Sequence, residues 1–252
     1  MSSIGHGSKI DVAILGTGNI GTDLLIKVLR SKYLNCVMFA GQRANSPGIA
    51  YANGLGVRTS TDSIDALASS HAKIVFDATS AQAHKENIKR FNGQFIIDLT
   101  PAKIGLMCVP SLNMKEALKT KEVSLISCGA QVLIPRIVKL KNLDFVEVVT
   151  TIASKSAGIG TRNNIDEYVT TTSAAITKFC GVPAKTILII NPGEPPITMH
   201  NTIYAKIKGK KNIRVIQFKV EGCGDYLPKF SGNLDTINVQ AIKIAEEYAK
   251  KN

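Results

Sequence analysis

Short apolar runs alternate with amphipathic stretches over the first half of the chain. Lys9-Ile10-Asp11-Val12-Ala13-Ile14-Leu15-Gly16 is a β-branched run closed by glycine, the pattern of a buried parallel strand. Residues 19–31 carry apolar positions at helical spacing through Ile20, Leu24, Ile26, Val28 and Leu29. Further apolar runs follow at Cys36–Ala40, Lys73–Ala78, Phe95–Leu99 and Val123–Ser127. Strands of this kind separated by helical stretches predict βαβ units and a parallel sheet.

The pattern changes after about residue 143. A long strand rich in valine and threonine is expected over Phe145–Ala153, then a helix over 164–179. Strands at Thr186–Ile190, Thr202–Ile207 and Ile213–Val220 are joined by short links, which predicts antiparallel pairing. An alanine- and lysine-rich helix at 235–250 ends the chain. The expected fold class is α/β: an N-terminal Rossmann dinucleotide-binding domain plus an α+β domain with a mostly antiparallel sheet. The domains are placed at 1–143, completed by a returning helix at 233–252, and at 144–232.

Composition changes this picture little. At 252 residues and 44% apolar content the chain can bury one large core or two modest ones. No apolar run is long enough to span a bilayer, and Met1–Ser8 lacks the features of a secretory leader, so a cytoplasmic, membrane-free protein is expected. The cysteines Cys36, Cys108, Cys128, Cys180 and Cys223 are odd in number, widely spaced and without a CxxC pair. That argues for a reducing compartment and against a disulfide framework or a metal site. The net charge of +12 is scattered, with one cluster at Lys206, Lys208, Lys210 and Lys211. No nucleic-acid-binding motif accompanies it, so it reads as a solvated surface that attracts an anionic cofactor or substrate.

Gly16-Thr17-Gly18-Asn19-Ile20-Gly21, followed by Thr22, fits G-x-G-x-x-G between an expected strand and an expected helix. Gly16 permits the tight turn, Gly18 lets backbone approach a pyrophosphate, and Gly21 lets helix pack on strand. The helix N-terminus then offers free N–H groups to phosphate. Beyond the second strand, Ala40-Gly41-Gln42-Arg43 lacks the acidic residue that would bond a ribose 2′-hydroxyl. Arg43 suits a 2′-phosphate, and both NAD and NADP stay open as cofactors.

Cys128 stands apart from the other cysteines. It follows a strand and opens a helix in Ile126-Ser127-Cys128-Gly129-Ala130-Gln131. A helix N-terminus lowers a thiol pKa toward neutrality, which would make Cys128 a nucleophile for an aldehyde or thioester carbonyl.

Here the sequence resembles the acylating, coenzyme-A-dependent acetaldehyde dehydrogenases of aromatic catabolism, nearly end to end. The likeness rests on Gly16–Leu24, Phe76–Ala81, Ile97–Ala102, Cys128-Gly129-Ala130-Gln131, Ser154–Arg162, Asn191–Pro196, Tyr226–Pro228 and Gly232–Asp235. It implies that Cys128 carries the acyl thioester and that coenzyme A is a co-substrate. It implies a second cofactor loop over Ser156, Ala157, Gly158, Gly160, Thr161, Arg162 and Asn164, and a further cofactor contact at Asn233. A homo-oligomer is the family expectation.

Two departures stand out. Where the family has an arginine–aspartate pair that assists its cysteine, this chain has His200-Asn201. Asn201 orients by hydrogen bonding but cannot act as a base, whereas His200 can. Between Ile207 and Ile213 the family carries a longer segment, absent here, which argues against an aldolase–dehydrogenase complex. The expected reaction is aldehyde, coenzyme A and NAD(P)⁺ to acyl-CoA and NAD(P)H, with acetaldehyde as the default substrate. The alternatives are related thioester chemistry on another acyl group in biosynthesis, or a nucleotide-binding homologue with impaired catalysis. Nucleic-acid binding lacks any motif.

Overall fold

The computed structural model describes residues 9–252, with the surroundings of Ala68, Ile159 and Gly160 left outside that set. The reading of Met1–Ser8 as free of a leader lies outside the described residues. Two sheets organise the chain. The first has seven strands: β1 (Ile10–Leu15), β2 (Leu34–Ala40), β3 (Thr59–Ser60), β4 (Ile74–Asp77), β5 (Phe95–Asp98), β6 (Leu106–Met107) and β7 (Glu122–Ser124). Their order is β3-β2-β1-β4-β5-β7-β6, and every pairing is parallel. Helices α1 (Asn19–Arg30), α2 (Pro47–Gly54), α3 (Ala81–Asn87) and α4 (Pro110–Ala117) make the connections.

Strand ends in this sheet are level: Leu15 pairs Ala40 and Asp77, and Asp77 pairs Asp98. The loops after β1, β2, β4 and β5 therefore share one rim, where parallel sheets bind ligands. The strand order reverses at β1, and the glycine cradle follows β1 directly.

The second sheet has β8 (Leu143–Ala153), β9 (Ala184–Asn191), β10 (Met199–Ile207) and β11 (Ile213–Val220), in the order β11-β10-β8-β9. The β10 strand pairs antiparallel with both β8 and β11. The antiparallel expectation for the strand at 186–190 is corrected: β9 pairs with β8 in parallel. Helix α7 (Ile165–Cys180) supplies the crossover that a parallel pair requires, and it packs on β9. The link from β9 to β10 is short, yet it carries the chain past β8 rather than forming a hairpin.

Each sheet has its own core. Ile14, Leu24, Phe76 and Ile97 are buried together with Ile237, Ala241 and Ile244 of α8 (Gly232–Ala249). The last helix thus returns to the first sheet. Helix α5 (Cys128–Ile137) buries Ala130, Leu133 and Ile134 against Val146, Val148, Met199 and Ile203 of the second sheet. A short helix, α6 (Ile159–Asn163), leads into α7.

Candidate active site

The chain after β1 turns at Gly16, whose φ is +99° and whose Cβ, if present, would lie 2.4 Å from the Ala78 carbonyl oxygen. A Cβ on Gly21 would fall 1.8 Å from the Gly16 oxygen, so α1 can pack here only with glycine. At Gly18 a Cβ would meet nothing within 4 Å. The first two glycines are required by the protein's own packing. The third leaves open space at an α1 N-terminus that no side chain caps and that carries no acidic residue. That combination accepts a phosphate. Thr17 is fixed through Ser46, the Oγ atoms standing 2.9 Å apart. Arg43 is exposed in the loop between β2 and Ser46, on the same rim.

Cys128 opens α5 through a strained turn. Ile126, buried and β-branched, has φ +68°, in the left-handed region that disfavours such residues. Ser127 caps the helix by accepting from the Ala130 N–H at 3.0 Å. Gln131 Nε2 donates to the Cys108 and Leu125 carbonyls, each at 2.8 Å, and so anchors the first turn to the strand layer.

The thiol is half-buried on the wall of a cavity of about 760 Å³, measured out to its open mouth. Ile20 from α1, Thr79 and Thr100 from the rim loops, Thr161 and Asn164 from the α6–α7 region, and Asn233 from α8 line the same cavity. The Asn233 Oδ1 is buried with no hydrogen-bond partner, an acceptor left for something else.

The expectation of a near-neutral thiol is corrected. Burial pushes the Cys128 thiol up to about 11, although the N–H groups of Cys128 and Gly129 and the Tyr168 hydroxyl pull the other way. Desolvation of the thiolate outweighs the helix terminus here.

The structure brings Cys128, Thr161, Asn164, Asn233 and Ile20 together. Ser156 and Ala157 are buried just behind them, Asn233 Nδ2 donating to the Ser156 carbonyl at 3.5 Å. Arg162 turns back onto the loop, bonding the Ala157 and Ser154 carbonyls at 3.0 and 3.1 Å. Gly158 is exposed just before α6, and Gly160 lies within that helix. Asn201 is buried, its Oδ1 accepting from Thr150 Oγ1 at 2.9 Å. His200 is not brought to the thiol: alternation along β10 puts it on the sheet face opposite Asn201.

The composition and motifs gave no pointer to Tyr168, whose buried hydroxyl lines the cavity. A repeated Asp-x-Thr at the ends of β4 and β5 was the available signal for another set. Asp77 accepts from the Thr79 N–H at 3.0 Å and from its hydroxyl, and Asp98 accepts from the Thr100 N–H at 2.7 Å. His84 of α3 stands between these carboxylates, 2.9 Å from Asp77 Oδ2 and 3.7 Å from Asp98 Oδ2.

Sheet order and glycine cradle define a Rossmann-type oxidoreductase fold. Residues 128–231 match the family model described as prokaryotic acetaldehyde dehydrogenase, dimerisation, and residues 11–102 match NADP oxidoreductase coenzyme F420-dependent. The acetaldehyde dehydrogenases of Pectobacterium atrosepticum and Carboxydothermus hydrogenoformans are each 41% identical, over 94% and 97% of this chain and 95% of their own. That of Spirochaeta aurantia is 40% identical over 96% and 95%. The dipicolinate-bound dihydrodipicolinate reductase of Paenisporosarcina sp. TG-14 shares the fold, with a TM-score of 0.55 at 10% identity over 95% and 96% of the two chains. This chain belongs to the acetaldehyde dehydrogenase family, and it is an oxidoreductase acting on aldehydes. Its second sheet lies in the family's dimerisation region. Among the described residues no helix is long and apolar enough to cross a membrane.

Proposed function

We propose that this chain is an acylating dehydrogenase, converting an aldehyde, coenzyme A and NAD(P)⁺ into acyl-CoA and NAD(P)H through a thioester on Cys128. The observation that carries this reading is the shared cavity. The thiol and the first turn of α1, beside the open Gly18, face the same space. Residues 16–22 would hold the pyrophosphate, while Thr161, Asn164 and Asn233 would hold the nicotinamide end. The stretch 1–143 with the helix 233–252 would serve as the dinucleotide domain, and 144–232 as the catalytic and dimerisation domain.

Cys128, as thiolate, adds to the carbonyl carbon and leaves an oxyanion within reach of the free N–H groups of the α5 first turn. A bound oxidised nicotinamide supplies the acceptor for the hydride that turns this thiohemiacetal into a thioester. The coenzyme A thiol then displaces Cys128 and leaves as acyl-CoA. No acidic residue in Ala40–Arg43 selects a ribose 2′-hydroxyl, so Arg43 supports NADP as well as NAD.

We place the chain in the cytoplasm, in keeping with its five free cysteines. The tight connection at 208–212 leaves no segment there to dock an aldolase, and we propose action without that partner. The reading is tested by absorbance of reduced nicotinamide with acetaldehyde, coenzyme A and NAD or NADP. A coenzyme-A-dependent signal, lost in Cys128→Ala, is expected. Turnover that survives Cys128→Ala would refute it.

A further inference from the structure

We propose that the Tyr168 hydroxyl is the hydrogen-bond donor to the Cys128 thiolate, and that Asn201, acting through Thr150, aims it there. This rests on Cys128 being the nucleophile. Among the described residues that line the cavity, from α1, α5, α6, α7, α8, β8, β9 and the rim loops, only Cys128 and Tyr168 titrate, and none carries a charge. No lining side chain can therefore take the thiol proton, which leaves for solvent water through the open mouth. What the site offers the resulting thiolate is neutral donors.

Tyr168 is the side-chain donor in place. Its hydroxyl stands where a Cβ on Gly129 would lie 2.2 Å away, so the glycine beside the nucleophile makes room for it. Its polar neighbours are Cys128 and Thr150. The hydroxyl is buried with no hydrogen bond of good geometry, a group awaiting a partner that appears when the thiol ionises. Burial also holds the phenol well above its ordinary value, so Tyr168 keeps its proton and donates it.

The direction of the chain follows from the amide. With Thr150 Oγ1 donating to Asn201 Oδ1 at 2.9 Å, Asn201 Nδ2 is orphaned. Turning the amide, which leaves its shape unchanged, lets Asn201 Nδ2 donate to Thr150. Thr150 then donates to Tyr168, and Tyr168 to sulfur. That turn exchanges an orphaned buried Nδ2 for an orphaned amide oxygen, and an under-satisfied carbonyl is the cheaper orphan. An aspartate at 201 can only accept. It would draw the Thr150 proton to itself, reverse the chain, and add a negative charge near the thiolate. In this chain asparagine is thus the functional residue, paired with tyrosine at 168.

The test is alkylation of Cys128 by iodoacetamide across pH, with the Cys128 peptide quantified by mass spectrometry, which needs no turnover. Tyr168→Phe should melt like the wild type and slow alkylation at neutral pH by roughly tenfold or more, the usual worth of a hydrogen bond to a charged group. The midpoint should move to higher pH. Asn201→Asp should also slow it, and Thr150→Val provides a second break in the chain if Tyr168→Phe does not fold. Wild-type rates in Tyr168→Phe, or faster alkylation in Asn201→Asp, would overturn the proposal. Wild-type enzyme that forms an acyl-Cys128 while Tyr168→Phe alkylates normally would sink this inference and leave the acylating reading intact.

Discussion

His84 is fully buried, and its ring nitrogens meet Asp77 Oδ2 and Glu122 Oε1, each at 2.9 Å. Burial alone would lower its pKa, but hydrogen bonds to Asp77 and Glu122 and the nearby Asp98 raise it to about 10. Asp98 is pushed up to about 7 by burial, with His84 pulling it down. Both pKa values are raised on folding, so the native state binds more protons and stability must fall as pH rises. The His84 contribution is complete below 6.5, its ordinary value, and is lost towards 10; the Asp98 contribution is lost between 3.8 and 7. Thermal melts should thus decline from pH 6.5 to 10, and His84→Ala should flatten that decline. The substitution should cost about 3 kcal/mol or more, because it strands buried carboxylates. A melt of His84→Ala that tracks the wild type at every pH would contradict this. The same carboxylates fix Thr79 and Thr100 on the cavity wall, so a stability group and a site share atoms.

At the scale of elements, the glycine cradle divides structural from ligand demands. Gly21→Ala forces a Cβ into the Gly16 carbonyl and should destabilise the protein as well as abolish dinucleotide binding. Gly18→Ala meets no protein atom, so its melt should match the wild type while dinucleotide affinity, read by calorimetry, falls about tenfold or more. A Gly18→Ala protein that binds normally would remove Gly18 from the proposed site. These elements were legible in sequence because their signals are local: β1, α1 and the glycines between them fall where apolar period and turn chemistry place them. The helix 235–250 also reads correctly, and its return to the first sheet follows from its apolar face. Pairing was less legible. The β9 strand follows α7 closely and is joined to β10 by a short link, and nothing local says that it pairs with β8 rather than β10. Tyr168 was illegible for the same reason, since it meets Cys128 only once α7 folds against α5. His200 misled because its sheet face depends on register, which one residue reverses.

At the scale of the molecule, the face of the second sheet turned away from α5 and α7 carries Phe145, Ile189, Ile213 and Val215, all exposed. Ile213 and Val215 are 55% and 51% exposed on the edge strand β11, within the dimerisation region of the family. A sheet face that exposes these apolar side chains beside an unpaired edge is what a second copy would cover. Sedimentation should show a dimer or larger assembly, and replacing Ile213 and Val215 by lysine should shift it towards monomer. A wild-type chain that sediments as monomer at micromolar concentration would contradict this.

The proposed chemistry turns on Cys128 carrying the acyl group. The direct measurement is to mix the protein with acetyl-CoA in the absence of reduced nicotinamide, quench in acid, and map the mass gain. An acetyl group on the peptide that contains Cys128, absent from Cys128→Ser, is the predicted result. No acetylation, or acetylation at Cys36, Cys108, Cys180 or Cys223 instead, would contradict it.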